Sequence, residues 1–342
     1  MGRVASLDTG RAVAVLAVLT LHARVFRLRF GGPLAGWEEA VEVVANHASR
    51  FAVPFFFFVS GYLLARSTRG GPVLARAAAS FRRVVLLYLF WSLLFVAVGP
   101  PEDAAYDLLA TGRVSGPVSW PPPADWVWQV LNGARMQLWF LPALGTALLL
   151  VGFLDRVRPA VGLAVAVVLY AIGLAVGTYG DVTGLVLGPL SRNGPFFATL
   201  FVFLGFRSGK VGDRPRLGPA MLLIAAGAAI QGLEAWALHR YAGAAWIAER
   251  ADYFAGTALL GVGAGRLALA RPDFGAGTIL PRLGALTLGV YLMHLDVLYL
   301  LAAVLPPTTL GRQFALVALG YVISVALTWL IARTRVGRRL VT

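Results

Sequence analysis

The 342-residue chain contains no cysteine, which excludes a disulfide framework, a thiolate nucleophile and any cysteine-based metal site. Lysine occurs once among 30 basic residues, and histidine four times. Charged residues make up only 13% of the chain, where a soluble domain carries about 25%. Against this scarcity stand 58% hydrophobic residues and a mean hydropathy of +0.75. A soluble globular domain is excluded, and the composition is that of a polytopic membrane protein. The net charge of +14 would suggest nucleic acid as a partner of a soluble protein. Here the arginines bracket apolar runs, which gives them a topological origin, and nucleic-acid binding is set aside. Heavy use of Ala, Gly, Arg and Val beside a single lysine fits a GC-rich bacterial genome.

A span needs about 20 mostly apolar residues. Such runs lie near 8–28, 49–66, 83–100, 137–155, 159–178, 194–208, 217–237, 251–270, 284–304 and 313–333. The expected fold is therefore all-α, with about ten transmembrane helices and one domain over 1–342. The first run contains Arg11 and His22 and lacks a small-residue cleavage site, so it reads as a retained span and not as a signal peptide. With the N-terminus inside, the inner loops collect Arg66, Arg69, Arg76, Arg82, Arg83, Arg156, Arg158, Arg207 and Lys210 among others. Cytoplasmic loops favour basic residues, so both termini are expected in the cytoplasm and the protein in the cell inner membrane. Residues 101–135 form the longest polar connection, an extracytoplasmic loop carrying Trp120, Trp126 and Trp128 beside three prolines. The cluster Gly261-Val-Gly-Ala-Gly265 has no preceding strand and no ribose-binding acid after it, so it reads as helix packing and not as a dinucleotide loop.

Ionisable groups inside spans are costly and usually face a bundle interior or a water-filled cavity. The set comprises Asp8, Arg11 and His22 in the first span, Glu234 in the seventh, and His294 with Asp296 in the ninth. On a helix, Arg11 and His22 differ by roughly 20° in direction and about 16 Å in height, so they share one stripe. Asp8, three residues before Arg11, lies where it can pair with the guanidinium. An imidazole titrating near neutrality suits His22 to proton abstraction, while a structural histidine bonded to a carbonyl is the competing account. His294 has Tyr291 one turn before it. Arg11 and the inner arginines form a positive mouth suited to a phosphate-bearing donor, because guanidinium forks bind phosphates bidentately. No spacing of His22, His294 and the carboxylates makes a metal site, so no metal is expected.

These motifs resemble the membrane-bound acyltransferase 3 family, integral-membrane O-acyltransferases of surface glycans and natural products. The family's LDxxRxxA opening, followed by a histidine, is matched by Leu7, Asp8, Arg11, Ala14 and His22. Its proline-aromatic cluster and SGFL-like turn correspond to Pro54–Phe58 and Ser60-Gly61-Tyr62-Leu63. A WFL segment stands at Trp139-Phe140-Leu141, and an SLGIYLxH-like segment runs from Thr287 to Tyr291 and His294. Two departures stand out. Gly10-Arg11-Ala12 replaces the frequent LRG, and Leu86 stands where the second arginine of a pair begun at Arg82 or Arg83 would fall, unless Arg66 and Arg69 take that part.

The resemblance implies transfer of an acyl group, most often acetyl, from an acyl-coenzyme A to a hydroxyl of a carbohydrate, lipid-linked sugar or natural product. Catalysis would then rest on His22, Arg11 and Asp8, with His22 as general base. Arg11, Arg66, Arg69, Arg82 and Arg83 would hold the donor, and Ser60, Trp139, Arg192, Asn193, Tyr291 and His294 the acceptor side. Direct transfer and an acyl-histidine intermediate both remain open. No esterase-like domain follows within these residues, so the membrane domain or a separate partner would complete the chemistry. Buried charges in a ten-helix bundle also mark substrate pathways, so a transporter or flippase of a glycan or acyl carrier is the alternative.

Overall fold

A computed structural model describes residues 4–34, 36–68, 70–98, 111–112, 134–185, 187, 190–241 and 253–342. Most of the 101–135 connection, its tryptophans included, lies outside the described residues, as does Arg69. The protein is an all-α, polytopic membrane protein, and there are no strands among the described residues. Its principal helices are α1 (Ala5–Phe26), α2 (Trp37–Ser49), α3 (Ala52–Thr68), α4 (Val73–Val98), α5 (Phe140–Leu154), α6 (Pro159–Val176), α7 (Pro195–Val211), α8 (Leu217–Tyr241), α9 (Ala255–Ala270), α10 (Thr287–Val304), α11 (Leu310–Ile331) and α12 (Arg335–Val341). Each of the ten apolar runs overlaps one of these helices. Among the described residues, eight helical stretches are long and apolar enough to cross a membrane, with α2 and α3 counted as one stretch. Helix α9 is apolar but has only 16 residues, and α7 has 17.

Local chemistry sets several boundaries. Prolines open α6 and α7, where the missing N–H is not needed and the fixed φ already suits a helix. Thr309 caps α11 by accepting from the Arg312 N–H at 3.2 Å. Helix α4 starts ten residues before the apolar run that marks it, because Arg76, Arg82 and Arg83 depress hydropathy without breaking the helix.

The chain divides into two compact units. The first comprises residues 1–7, 50–88 and 139–274. Within it α3 and α7 meet backbone to backbone: a side chain at Gly61 would strike the Val202 carbonyl, and one at Gly205 the Phe58 carbonyl. Small residues permit this approach, the usual basis of helix association in lipid. Gly261 rests on Pro54 and Gly265 on the Phe58 ring, so this glycine cluster packs helices.

The second unit comprises residues 8–49, 89–138 and 275–342. Helix α1 runs on through a five-residue π-helix, Arg27–Gly31, and the chain turns at Gly32 with φ +73° before α2. Helix α2 buries a polar face, Glu42, Asn46 and Ser49, while Val41 and Val44 are exposed. Gly284 lies directly against the Asp8 backbone, so the segment before α10 seats the start of α1. Farther along, Leu19 of α1 and Leu298 of α10 converge on Gly320 of α11.

Candidate active site

The second unit gathers polar groups along α1. Near its start, Arg11 Nη1 donates to Asp8 Oδ1 at 3.2 Å, one helical turn apart. Higher on the same helix, the half-buried His22 ring lies 5.0 Å, centroid to centroid, from the ring of His294 on α10, tilted by 40°. His294 is fully enclosed, at 0% exposure. Its Nδ1 lies 2.6 Å from the Tyr291 carbonyl oxygen, which can only accept. Nδ1 therefore carries a hydrogen, and in the neutral ring Nε2 carries the lone pair.

The Tyr291 hydroxyl in turn donates to the Gln137 carbonyl at 2.5 Å, and Gln137 Nε2 donates to the Leu292 carbonyl at 2.9 Å. Gln137, immediately before the Leu138-Trp139 step, thus ties the 134–138 segment to α10. Two residues beyond His294, Asp296 accepts from Arg135 Nε at 3.0 Å, and the Arg135 guanidinium lies 5.2 Å from the Phe95 ring.

Just past His22, Arg24 and Arg27 both bind Glu42 of α2. Arg27 donates through Nε at 2.9 Å and Nη2 at 2.5 Å, and Arg24 through Nη1. All three residues are buried, at 4%, 1% and 2% exposure. Arg24 and Arg27 lie where α1 runs on into the π-helix. The structure encloses them, because the helix continues through them and Glu42 neutralises one of the two charges.

The first unit holds the remaining predicted residues. Ser60 Oγ donates to the Phe56 carbonyl of its own helix at 2.8 Å, a local bond that occupies its hydroxyl hydrogen. The Arg192 guanidinium stands 5.5 Å above the Trp139 ring, and Trp139 packs at 6.4 Å from Phe57 and 6.0 Å from Phe197. Asn193 follows Arg192 in a four-residue helical turn, and its Oδ1 is buried without a hydrogen-bond partner among the described residues. Arg66 lies near Tyr62 and lines a cleft of about 380 Å³ shared with Lys210, Asp155, Thr68 and the Gly70-Gly71 backbone. Lys210, the chain's one lysine, pairs with Asp155 there. Arg82 and Arg83 are exposed on the first half of α4.

Glu234, counted among the inward ionisable residues, caps a helix. Its two carboxylate oxygens accept from the N–H groups of Ala255 and Gly256 at 2.9 and 2.8 Å, at the start of α9. The Tyr179 hydroxyl donates to the same carboxylate. Burial and this neighbouring anion push the Tyr179 pKa well above its ordinary value. Among the described residues, no group of three or more His, Asp or Glu stands where it could hold a metal ion.

Sequence reasoning missed Glu42, Gln137 and Lys210 as members of these clusters. Glu42 had a signal, since it recurs with Asn46 and Ser49 on one helical face. For Gln137 the only signal was its position beside the Trp139-Phe140-Leu141 segment.

Comparison with known proteins gives two findings. The acyltransferase domain family, acyltransferase 3, matches residues 4–333. A serine/alanine racemase of Enterococcus gallinarum is 26% identical over 234 residues, covering 63% of this chain and 30% of that protein. The chain thus spans less than a third of the length of this curated relative. No solved structure matches.

Proposed function

The chain belongs to the acyltransferase 3 family, and we propose that this membrane-embedded acyltransferase moves an acyl group, acetyl in the simplest case, from an acyl-coenzyme A to a hydroxyl of a glycan, lipid-linked sugar or natural product in the cytoplasmic membrane. The observation that carries the proposal is α1 itself. It presents the Asp8–Arg11 pair near its start and His22 higher up, against His294.

In this account Arg11, oriented by Asp8, binds a phosphate of the coenzyme. His22 takes the proton of the acceptor hydroxyl as the oxygen attacks the thioester carbonyl. The C–O bond forms, the C–S bond breaks, and His22 returns its proton to the departing thiolate sulfur. The products are an ester and free coenzyme A. Trp139, with Arg192 above its face and Asn193 next in the chain, suits a sugar or other flat polyhydroxyl acceptor, because an aromatic face stacks while the polar groups bond hydroxyls. Ser60, Tyr291 and His294 shape the surroundings, since their donor hydrogens are engaged by backbone carbonyls.

The test is transfer by purified protein from acetyl-CoA labelled in the acetyl group, supplied with a cell-envelope extract as acceptor source. The expected result is release of coenzyme A thiol with the label recovered in an ester. Substrate uptake into vesicles without thiol release would instead establish a transporter.

A further inference from the structure

The acyl-transfer reading leaves one buried group beside His22 without a task. His294 Nε2 is enclosed and has no hydrogen-bond partner among the described residues, while Nδ1 is committed to the Tyr291 carbonyl. A buried acceptor left without a donor is costly, and native structures rarely leave one unexplained. The cost is built in, because Tyr291, Gln137 and Leu292 hold one another through two further bonds and fix the carbonyl that sets the His294 tautomer. Being fully enclosed, Nε2 is screened from an incoming acceptor or thioester, so its chemistry passes through a neighbour.

The neighbour is His22. An N–H···N bond of about 2.9 Å, with about 1.1 Å from each ring centre to its nitrogen, places two imidazole centroids about 5 Å apart. The observed separation is 5.0 Å, the spacing that such a bond requires. Three carboxylates of this unit pair with arginines. Asp8 binds Arg11, Glu42 binds Arg24 and Arg27, and Asp296 binds Arg135.

We propose that His294 is a positioning residue for acyl transfer: its Nε2 accepts a hydrogen bond from one ring N–H of His22, which fixes the other His22 nitrogen as the base. The inference rests on the acyl-transfer reading above. The bond strengthens when His22 becomes an imidazolium. His294 stays neutral throughout, since the proton goes from the acceptor oxygen to His22 and on to the thiolate sulfur. A carbonyl on α10 is thereby linked to the reacting proton through two imidazoles, a part that a carboxylate plays in a serine-histidine-aspartate triad.

Two variants separate this role from a structural one. His294→Asn places its amide near the Nδ1 position, where it can bond the Tyr291 carbonyl but does not reach His22. His294→Gln places its amide near the Nε2 position, where its oxygen can accept from His22. With purified full-length protein and acetyl-CoA, His294→Asn is expected to lose about ten- to a hundredfold in kcat, with the KM for acetyl-CoA unchanged. His294→Gln should stand at least about tenfold above it. The reverse ranking, or equal activity of the two, overturns the proposal in favour of a purely structural histidine.

A second measurement needs no change at His294. In protein with 15N-labelled histidine rings, the His294 Nε2 resonance should be that of a hydrogen-bonded acceptor and should move when His22 is replaced by alanine. A resonance unaffected by that replacement overturns the proposal. If wild-type protein releases no thiol, the acyl-transfer reading itself fails. If it does and the ranking inverts, only the role of His294 falls.

Discussion

Replacing Glu42 by alanine leaves two guanidiniums, Arg24 and Arg27, buried beyond His22 without their shared carboxylate. Breaking a buried ion pair from one side costs about 3–5 kcal/mol, because the remaining charge has lost both water and partner. Glu42→Ala is therefore expected to lower the midpoint of thermal unfolding in detergent sharply, and an unchanged midpoint would mean that the cluster is hydrated. Glu42 also shows the limit of reading residues one at a time. Asp8, Arg11 and His22 were legible because they share one helix, whose geometry converts spacing into direction. Glu42 and His294 meet their partners only through tertiary packing, which no local spacing encodes. Glu42 also lies in a segment too polar to register as a span. The enclosure of His294 and the carbonyl that fixes its tautomer were equally beyond the sequence.

Elements were easier to read than contacts. Each apolar run holds a helix because twenty residues without water must satisfy their backbone internally. The errors fall where side chains blur the hydropathy signal. Helix α4 begins early, under arginines that lie exposed along it, and α2 was not foreseen because its buried face is the polar one. The arginine bias between loops predicts which helix ends face the cytoplasm, and the absence of cysteine makes that prediction clean to test. A single cysteine at the exposed Ser67, near the end of α3, should resist an impermeant maleimide in intact cells and react after lysis. A single cysteine at the exposed Thr308, between α10 and α11, should react in intact cells. Inverted labelling would reverse the orientation of the whole chain.

At the scale of the molecule, the chain belongs to the acyltransferase 3 family, and acyl transfer with His22 as its base is the proposal that the measurements below address. The match to the racemase spans less than a third of that protein, so its name is no guide to a substrate here. The first unit holds Trp139 with Arg192 over its face, and the second carries the His22–His294 pair. Placing His22 at the reacting proton is the central claim. Its most direct test is the rate of thiol release from acetyl-CoA by purified wild-type protein and His22→Ala in the presence of an acceptor. The account predicts a fall of at least about a hundredfold in kcat with acetyl-CoA binding and the thermal midpoint retained. Wild-type turnover in a folded His22→Ala protein would contradict it.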